Sequence, residues 1–230
     1  MGVKKGKFIV IDGTDGSGKA TQTKLLIKRL KKEGYKVKAI DFPRYCDNFF
    51  GKMIGECLVE KYGNFLAIDP HIASVLYAAD RWESNEQIKK WLMDGNIVIA
   101  DRYASSNQIH QGAKISNKKK RIEFLKWLEK LEYETFKIPR PDNIIFLDVP
   151  INITLQLLKN KTASERKKYM EGKGDSVENN PKHLYDSQKR AIELLKKYNN
   201  WIKIDCVKNR KLMSIKEINN LIWNKIMKII

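Results

Sequence analysis

The chain has 230 residues, 42% of them hydrophobic, enough for a sizeable core in one domain. No apolar run approaches the ~18 residues of a membrane span, and the run after Lys4, Lys5 and Lys7 stops at Asp12, too short for a secretory leader, so a cytoplasmic protein is expected. The formal net charge of +18 is spread along the chain, with clusters at 28–32, 118–121 and 166–168. No aromatic-interleaved basic stretch accompanies it, so it reads as a lysine-rich solvated surface and not as a nucleic-acid-binding face.

The first predicted strand is KFIVID (7–12), which runs into GTDGSGK (13–19). A helical pattern follows over 20–33, with Leu25, Leu26, Ile27 and Leu30, and stops at Gly34. KVKAID (36–41) is the second strand; DFPRYCDNFFGK (41–52) then breaks the pattern at a proline. A helix over 83–94 ends at Gly95, and NIVIAD (96–101) is the third strand. A helix over 117–134 sets Ile122, Phe124, Leu125, Leu128 and Leu131 along a core stripe before the fourth strand, NIIFLDV (143–149). Residues 160–180 are polar, charged and glycine-bearing, the composition of a long lid. A helix over 182–199 follows Pro181, WIKID (201–205) is the fifth strand, and a helix over 214–229 opens on Ser214 and Glu217 spaced as a capping box.

Near-continuous apolar strands belong to a parallel sheet buried on both faces. Strand–helix alternation implies right-handed crossovers and a three-layer α/β domain with a five-stranded parallel sheet. No repeat or linker divides the chain, so one domain is expected over 1–230. Cys46, Cys57 and Cys206 form no C-x-x-C pair and read as buried thiols. His71, His110 and His183 are too scattered in sequence to suggest zinc.

Gly13, Gly18 and Lys19 carry the spacing of a phosphate-binding loop, between a strand and a helix as that motif requires. Backbone N–H groups of Gly13, Gly16, Ser17 and Gly18, with the helix N-terminus at Ala20 and Thr21, would face nucleotide phosphates, and Lys19 would reach the β- and γ-phosphates. Ala20 stands where the motif has a magnesium-binding hydroxyl. Thr21 points about 100° away on a helix, so Mg2+ would rest on the nucleotide, water and a strand-end acid, for which Asp101 is the candidate. The acid inside the loop, Asp15, has no role toward the donor phosphates. A GTPase would show N-K-x-D; NKTA (160–163) lacks the acid.

Six features in order resemble the thymidylate kinase family of P-loop nucleoside monophosphate kinases: GTDGSGKATQ, FPRY (42–45), LYAADRWE (76–83), DRYASSNQIHQGAK (101–114), LDVP (147–150) and IDC (204–206). The resemblance implies ATP-dependent phosphorylation of dTMP to dTDP, in dTTP biosynthesis, with Mg2+. It puts Phe42 in the acceptor segment, Arg44 and Arg102 on the acceptor phosphate, Tyr77 against the base and Arg81 near thymine O4. Ser106, Asn107 and Gln111 fall in the nucleoside-binding stretch, where an asparagine amide matches the N3–O4 edge. Asp15 is implied to face the acceptor 3′-hydroxyl. Gly16 and Ser17 stand where some members have a catalytic arginine, so the lid is implied to supply the cation: Arg166, beside Lys167 and Lys168. Asp175 and Glu178 are similar to an acidic pair after the lid. A homodimer is implied, with 65–77 and 117–131 as surfaces. A kinase for deoxynucleosides or other monophosphates, a nucleic-acid-binding P-loop ATPase, and a catalytically weak relative (because of Ala20) stand as alternatives.

Overall fold

The structure, a computed structural model, describes residues 6–160 and 180–230. The expected lid lies almost wholly outside the described residues, and with it Arg166, Lys167, Lys168, Asp175 and Glu178. Five parallel strands form one sheet in the order β2-β3-β1-β4-β5. They are β1 (Lys7–Gly13), β2 (Val37–Asp41), β3 (Ile97–Asp101), β4 (Asn143–Asp148) and β5 (Trp201–Asp205), within one or two residues of the sequence reading at each end. A two-stranded ribbon, β6 (Val207–Lys208) and β7 (Lys211–Leu212), lies outside this sheet.

Alternation along the strands builds two cores. Phe8 and Val10 of β1, Val98 and Ala100 of β3 and Ile144 and Phe146 of β4 face one side. There they meet Ile88 of α4 (Asn85–Met93) and Ala191 and Leu194 of α8 (Pro181–Lys197). Ile9, Ile11, Ile97, Ile99, Ile145 and Leu147 face the other. They meet Leu26 and Leu30 of α1 (Lys19–Lys32) and Ile218, Ile222 and Ile226 of α9 (Ile215–Ile226). Phe8 through Ile11 have no exposed surface, each worth about 1.5–3 kcal/mol of burial. α9 opens on the expected capping box between Ser214 and Glu217.

The helix expected over 83–94 is α4, and a further helix precedes it. α3 (Pro70–Glu83) starts where Asp69 accepts a 2.8 Å bond from the His71 N–H, with Pro70 in the first turn. Ser84 separates it from α4. α2 (Phe49–Leu58) forms within the stretch that had broken the pattern, and α7 (Ile151–Lys159) follows β4. The helix expected over 117–134 is α6 (Lys118–Glu129) continued by a π-helical segment, Lys130–Thr135. A second π-helical segment, Asn107–Gln111, follows the single turn α5 (Ala104–Ser106). Such segments are rare and concentrate at functional sites. Cys46 is exposed, against expectation; Cys57 and Cys206 are buried. No helix among the described residues is long and apolar enough to cross a membrane.

β1 connects toward β2 on one side and its neighbour β4 toward β5 on the other, so the connections diverge between the carboxyl ends of β1 and β4. In parallel α/β sheets a ligand crevice opens at such a point. Register brings Asp101 beside Ile11 and Asp41, and Gly13 beside Leu147.

Candidate active site

The loop after β1 is shaped around an anion. Gly18, in the left-handed region at φ 83°, precedes α1, whose first turn holds no side-chain cap and no acid. The first-turn N–H groups and the helix dipole are therefore left for a ligand. A Cβ on Gly13 would stand 2.6 Å from Ser17 Oγ and 3.1 Å from the Leu147 carbonyl oxygen, so only glycine fits. Among the described residues the buried hydroxyls of Thr14 and Ser17 have no hydrogen-bond partner, as fits a loop built for phosphate oxygens. Lys19 is buried, and its ammonium donates to the carbonyls of Gly13 (2.9 Å) and Thr14 (2.8 Å). Burial, reinforced by the Arg102 charge, lowers its pKa from 10.5 to about 8. Ala20 and Thr21 are exposed at the start of α1.

Asp12, missed in the sequence reading, ties this loop to β3. It has no exposed surface. Its carboxylate accepts from the Gly13 N–H (2.8 Å), Ser105 Oγ (2.6 Å) and Ser106 Oγ (3.0 Å), and lies 3.8 Å from Arg102. Arg102 follows β3 at φ 66°, a strained backbone for a non-glycine residue and a mark of functional positions. Its N–H still donates to the Ile11 carbonyl at 2.9 Å, which holds the turn. One end of its guanidinium pairs with Asp15; the other donates to Ser106 Oγ (3.3 Å) and His110 Nε2 (3.0 Å). Because Nε2 accepts, His110 carries its proton on Nδ1, 3.3 Å from Ser187 Oγ. Burial and Arg102 hold the His110 pKa well below 6.5. His183 stacks on it at 5.8 Å, so two histidines far apart in sequence share one wall.

One cavity gathers the expected acceptor residues: Asp15, Phe42, Tyr77, Arg81, Arg102, Ser106, Asn107 and Gln111 all line it. Arg44 does not. Its guanidinium turns to Asp47 at 2.8 Å, with Nε buried and without a partner among the described residues. Asp80, whose pKa burial raises to about 6, accepts the Arg44 N–H at 3.2 Å. Tyr77 packs against Phe65 at 6.0 Å while lining the cavity. Arg81 is a buried side chain. It is 2% exposed, bound through two nitrogens to the equally buried Glu132 of the π-helical segment. Glu132 also accepts from Asn107 Nδ2 at 3.1 Å. Ser106 lines the cavity, but its hydroxyl is directed to Asp12.

A strand-end loop for phosphates and an arginine-rimmed cavity beside it make a two-substrate site. A family model described as thymidylate kinase matches residues 11–218. The chain belongs to the thymidylate kinase family. It is 31% identical over 229 residues to the thymidylate kinase of Plasmodium falciparum, covering 98% of this chain and 92% of that one. Identity to a probable thymidylate kinase of Thermococcus onnurineus is 35% over 160 residues, 67% of this chain and 72% of the other. The solved thymidylate kinase of Candida albicans superposes with a TM-score of 0.69 at 26% identity, covering 97% of this chain and 92% of that one.

Thymidylate kinase motifs in the sequence located the loop, the FPRY segment and the DRY turn, but not the residues that hold them. Of the residues behind them, Asp12 was marked by its place before the loop glycine at a strand end, Ser105 and His110 fell within DRYASSNQIHQGAK without a role, and Glu132 and His183 carried no signal. Asp101 ends β3 with its carboxyl pKa raised by burial, partly offset by the Lys19 charge. Among the described residues no three Cys, His, Asp or Glu side chains are gathered as a metal-binding set.

Proposed function

We propose that this chain transfers the γ-phosphoryl group of ATP to a phosphate oxygen of dTMP, giving dTDP and ADP, as a step toward dTTP. The observation that carries the reading is the junction of the two subsites at Arg102. Its guanidinium joins Asp15 of the phosphate loop to the wall of the acceptor cavity. Positioning and charge neutralisation are the main demands of phosphoryl transfer, and no covalent intermediate is required. The loop N–H groups and Lys19 hold the donor phosphates. Arg102 orients the acceptor phosphate in line with them, and Arg44 joins it by turning from Asp47. Asp15 receives the acceptor 3′-hydroxyl; Tyr77 covers the base; Arg81, Asn107 and Gln111 take its polar edge. Gln111 brings a buried Oε1 that has no partner among the described residues. Phe42 packs on Tyr103 at 5.6 Å and closes the floor.

The donor set fits a magnesium ion carried by the nucleotide. Asp101 is one strand-end carboxylate near Lys19, and Mg2+ commonly takes one or two carboxylates, water and phosphate oxygens. The ion would neutralise charge shared between the β- and γ-phosphates. Arg166 of the lid is proposed as the further cation on the transferred group. A homodimer through α3 and α6 fits the exposed Ile72, Val75 and Ile122 on those helices.

Steady-state assays with ATP against dTMP, dUMP, dCMP, dGMP and AMP test the reading. A kcat/KM highest for dTMP is the expected result. A wide preference for another acceptor, or ATP hydrolysis stimulated by DNA with no acceptor present, overturns it.

A further inference from the structure

Glu132 sits behind the acceptor cavity and does not line it, yet two residues that do line it are held by its carboxylate. Arg81 gives it Nε (3.1 Å) and Nη2. Asn107 gives it one amide hydrogen at 3.1 Å and gives the other to the Ser74 carbonyl at 3.2 Å. Both neighbours of the Asn107 amide can only accept, so the nitrogen must face them and the oxygen cannot. Oδ1 takes no protein partner among the described residues and is not among the sealed, unsatisfied atoms. It is therefore the atom left for the cavity. The same holds for Arg81 Nη1, the guanidinium nitrogen that Glu132 leaves unbound.

We infer that Glu132 is a specificity-determining positioning residue: it fixes the wall opposite the base as one acceptor, Asn107 Oδ1, beside one donor, Arg81 Nη1. This deepens the proposed function and rests on it. A pyrimidine with an N3–H and a 4-carbonyl complements that order. Cytosine presents the reverse, an N3 acceptor and a 4-amino donor, and meets like against like at both atoms. Rejection by mispaired groups is stronger than rejection by a missing contact. An amide free to rotate would offer its NH2 to cytosine N3. The two acceptors behind Asn107 forbid that rotation, and Glu132 is the one held by a side chain. Its inward aim comes from the π-helical segment Lys130–Thr135, which places a 2% exposed carboxylate behind the cavity.

Two variants test this. Glu132→Asp keeps the charge that buried Arg81 needs but is one methylene too short to hold both partners. The double variant Glu132→Gln with Arg81→Met removes both charges together and so strands neither. Each is assayed with dTMP, dUMP and dCMP at saturating ATP. The expected result is a rise of about tenfold or more in kcat/KM for dCMP relative to dTMP, the scale of one restored polar contact. The dUMP to dTMP ratio should stay unchanged in Glu132→Asp, because both bases share the N3–H and 4-carbonyl, and the KM for ATP should not move. An unchanged dCMP ratio in either folded variant overturns the inference, as does an equal loss on all three acceptors, which marks a merely structural role. Wild-type enzyme that does not discriminate against dCMP would instead defeat the base reading of the proposed function, before Glu132 is at issue.

Discussion

Substituting Lys19 by methionine should change how stability depends on pH, and the size of the change follows from burial. The Lys19 ammonium is 7% exposed and rests on two carbonyls. Burial is the main cause of its fall from 10.5 to about 8, with the Arg102 charge next. At about 1.4 kcal/mol per pKa unit, the folded state carries roughly 3 kcal/mol against the charged lysine. Between pH 8 and 10.5 the unfolded chain binds more protons than the folded one, so stability rises with pH across that window and is flat with respect to Lys19 below it. Linkage gives a gain of about 2 kcal/mol by pH ~9.5. Urea unfolding of wild type and Lys19→Met without nucleotide, at a series of pH values, isolates this gain as the difference between the curves. The difference cancels other groups, including Lys114, which burial also lowers to about 8. At pH 7 the variant should match or slightly exceed wild type in stability, because losing the buried charge offsets two carbonyls left unpaired. ATP should stabilise wild type far more than the variant, since phosphate oxygens replace those carbonyls as partners of the ammonium. Parallel pH profiles for the two proteins would refute the reasoning, because Lys19 would then not be held against its own charge.

Two shorter predictions concern the Arg102 cluster. Asp15→Ala should lower kcat/KM for dTMP by roughly 10²-fold, the scale of a lost charge-assisted bond, and lower it much less for 3′-deoxythymidine monophosphate; equal losses on the two acceptors would remove the 3′-hydroxyl from the role of Asp15. His110 is held neutral, so the unfolded chain binds the extra proton below pH 6.5 and stability falls as pH drops through that value. The cost reaches about 1.4 kcal/mol near pH ~5.5. Chemical unfolding of His110→Gln should lack this loss relative to wild type, and a variant that loses stability in parallel with wild type contradicts it.

The strands were legible because β-branched runs without strict alternation have one physical use, a sheet covered on both faces. Their order was not, since β3 inserts between β1 and β2 by tertiary packing alone. Asp69–Pro70 carried a complete helix-start signal for α3, but only LYAADRWE (76–83) within it was identified, and by resemblance. The phosphate loop was legible because its chemistry is local: glycine spacing, a strand before and a helix after. The support for the base edge was not. Glu132 lies in LEYE, an ordinary solvated helix pattern, and only the π-helical change of phase brings it inward. His110 and His183 are equally opaque, as their stacking depends on α8 crossing the DRY segment. Arg81 was found by resemblance, while its partner Glu132 lies 51 residues on, in a different helical segment.

The acid in the phosphate loop then follows from the demands of the empty site as well as the loaded one. Lys19 is buried and Arg102 partly so, and the Arg102 charge adds to burial in lowering the lysine pKa. Two unpaired cations in such a place cost several kcal/mol each. Asp12 and Asp15 compensate: one is sealed beneath the turn, and the other pairs with Arg102 at the edge of the cavity. On the proposed function, substrate binding would be an exchange of anions, not a simple capture. An acceptor phosphate must take Arg102 from Asp15, and the freed carboxylate needs a donor at once. The acceptor 3′-hydroxyl is such a donor on the same molecule, whereas inorganic phosphate brings none. If the 3′-hydroxyl role proposed for Asp15 holds, the same carboxylate pairs Arg102 before substrate arrives and would disfavour any anion that comes without its sugar.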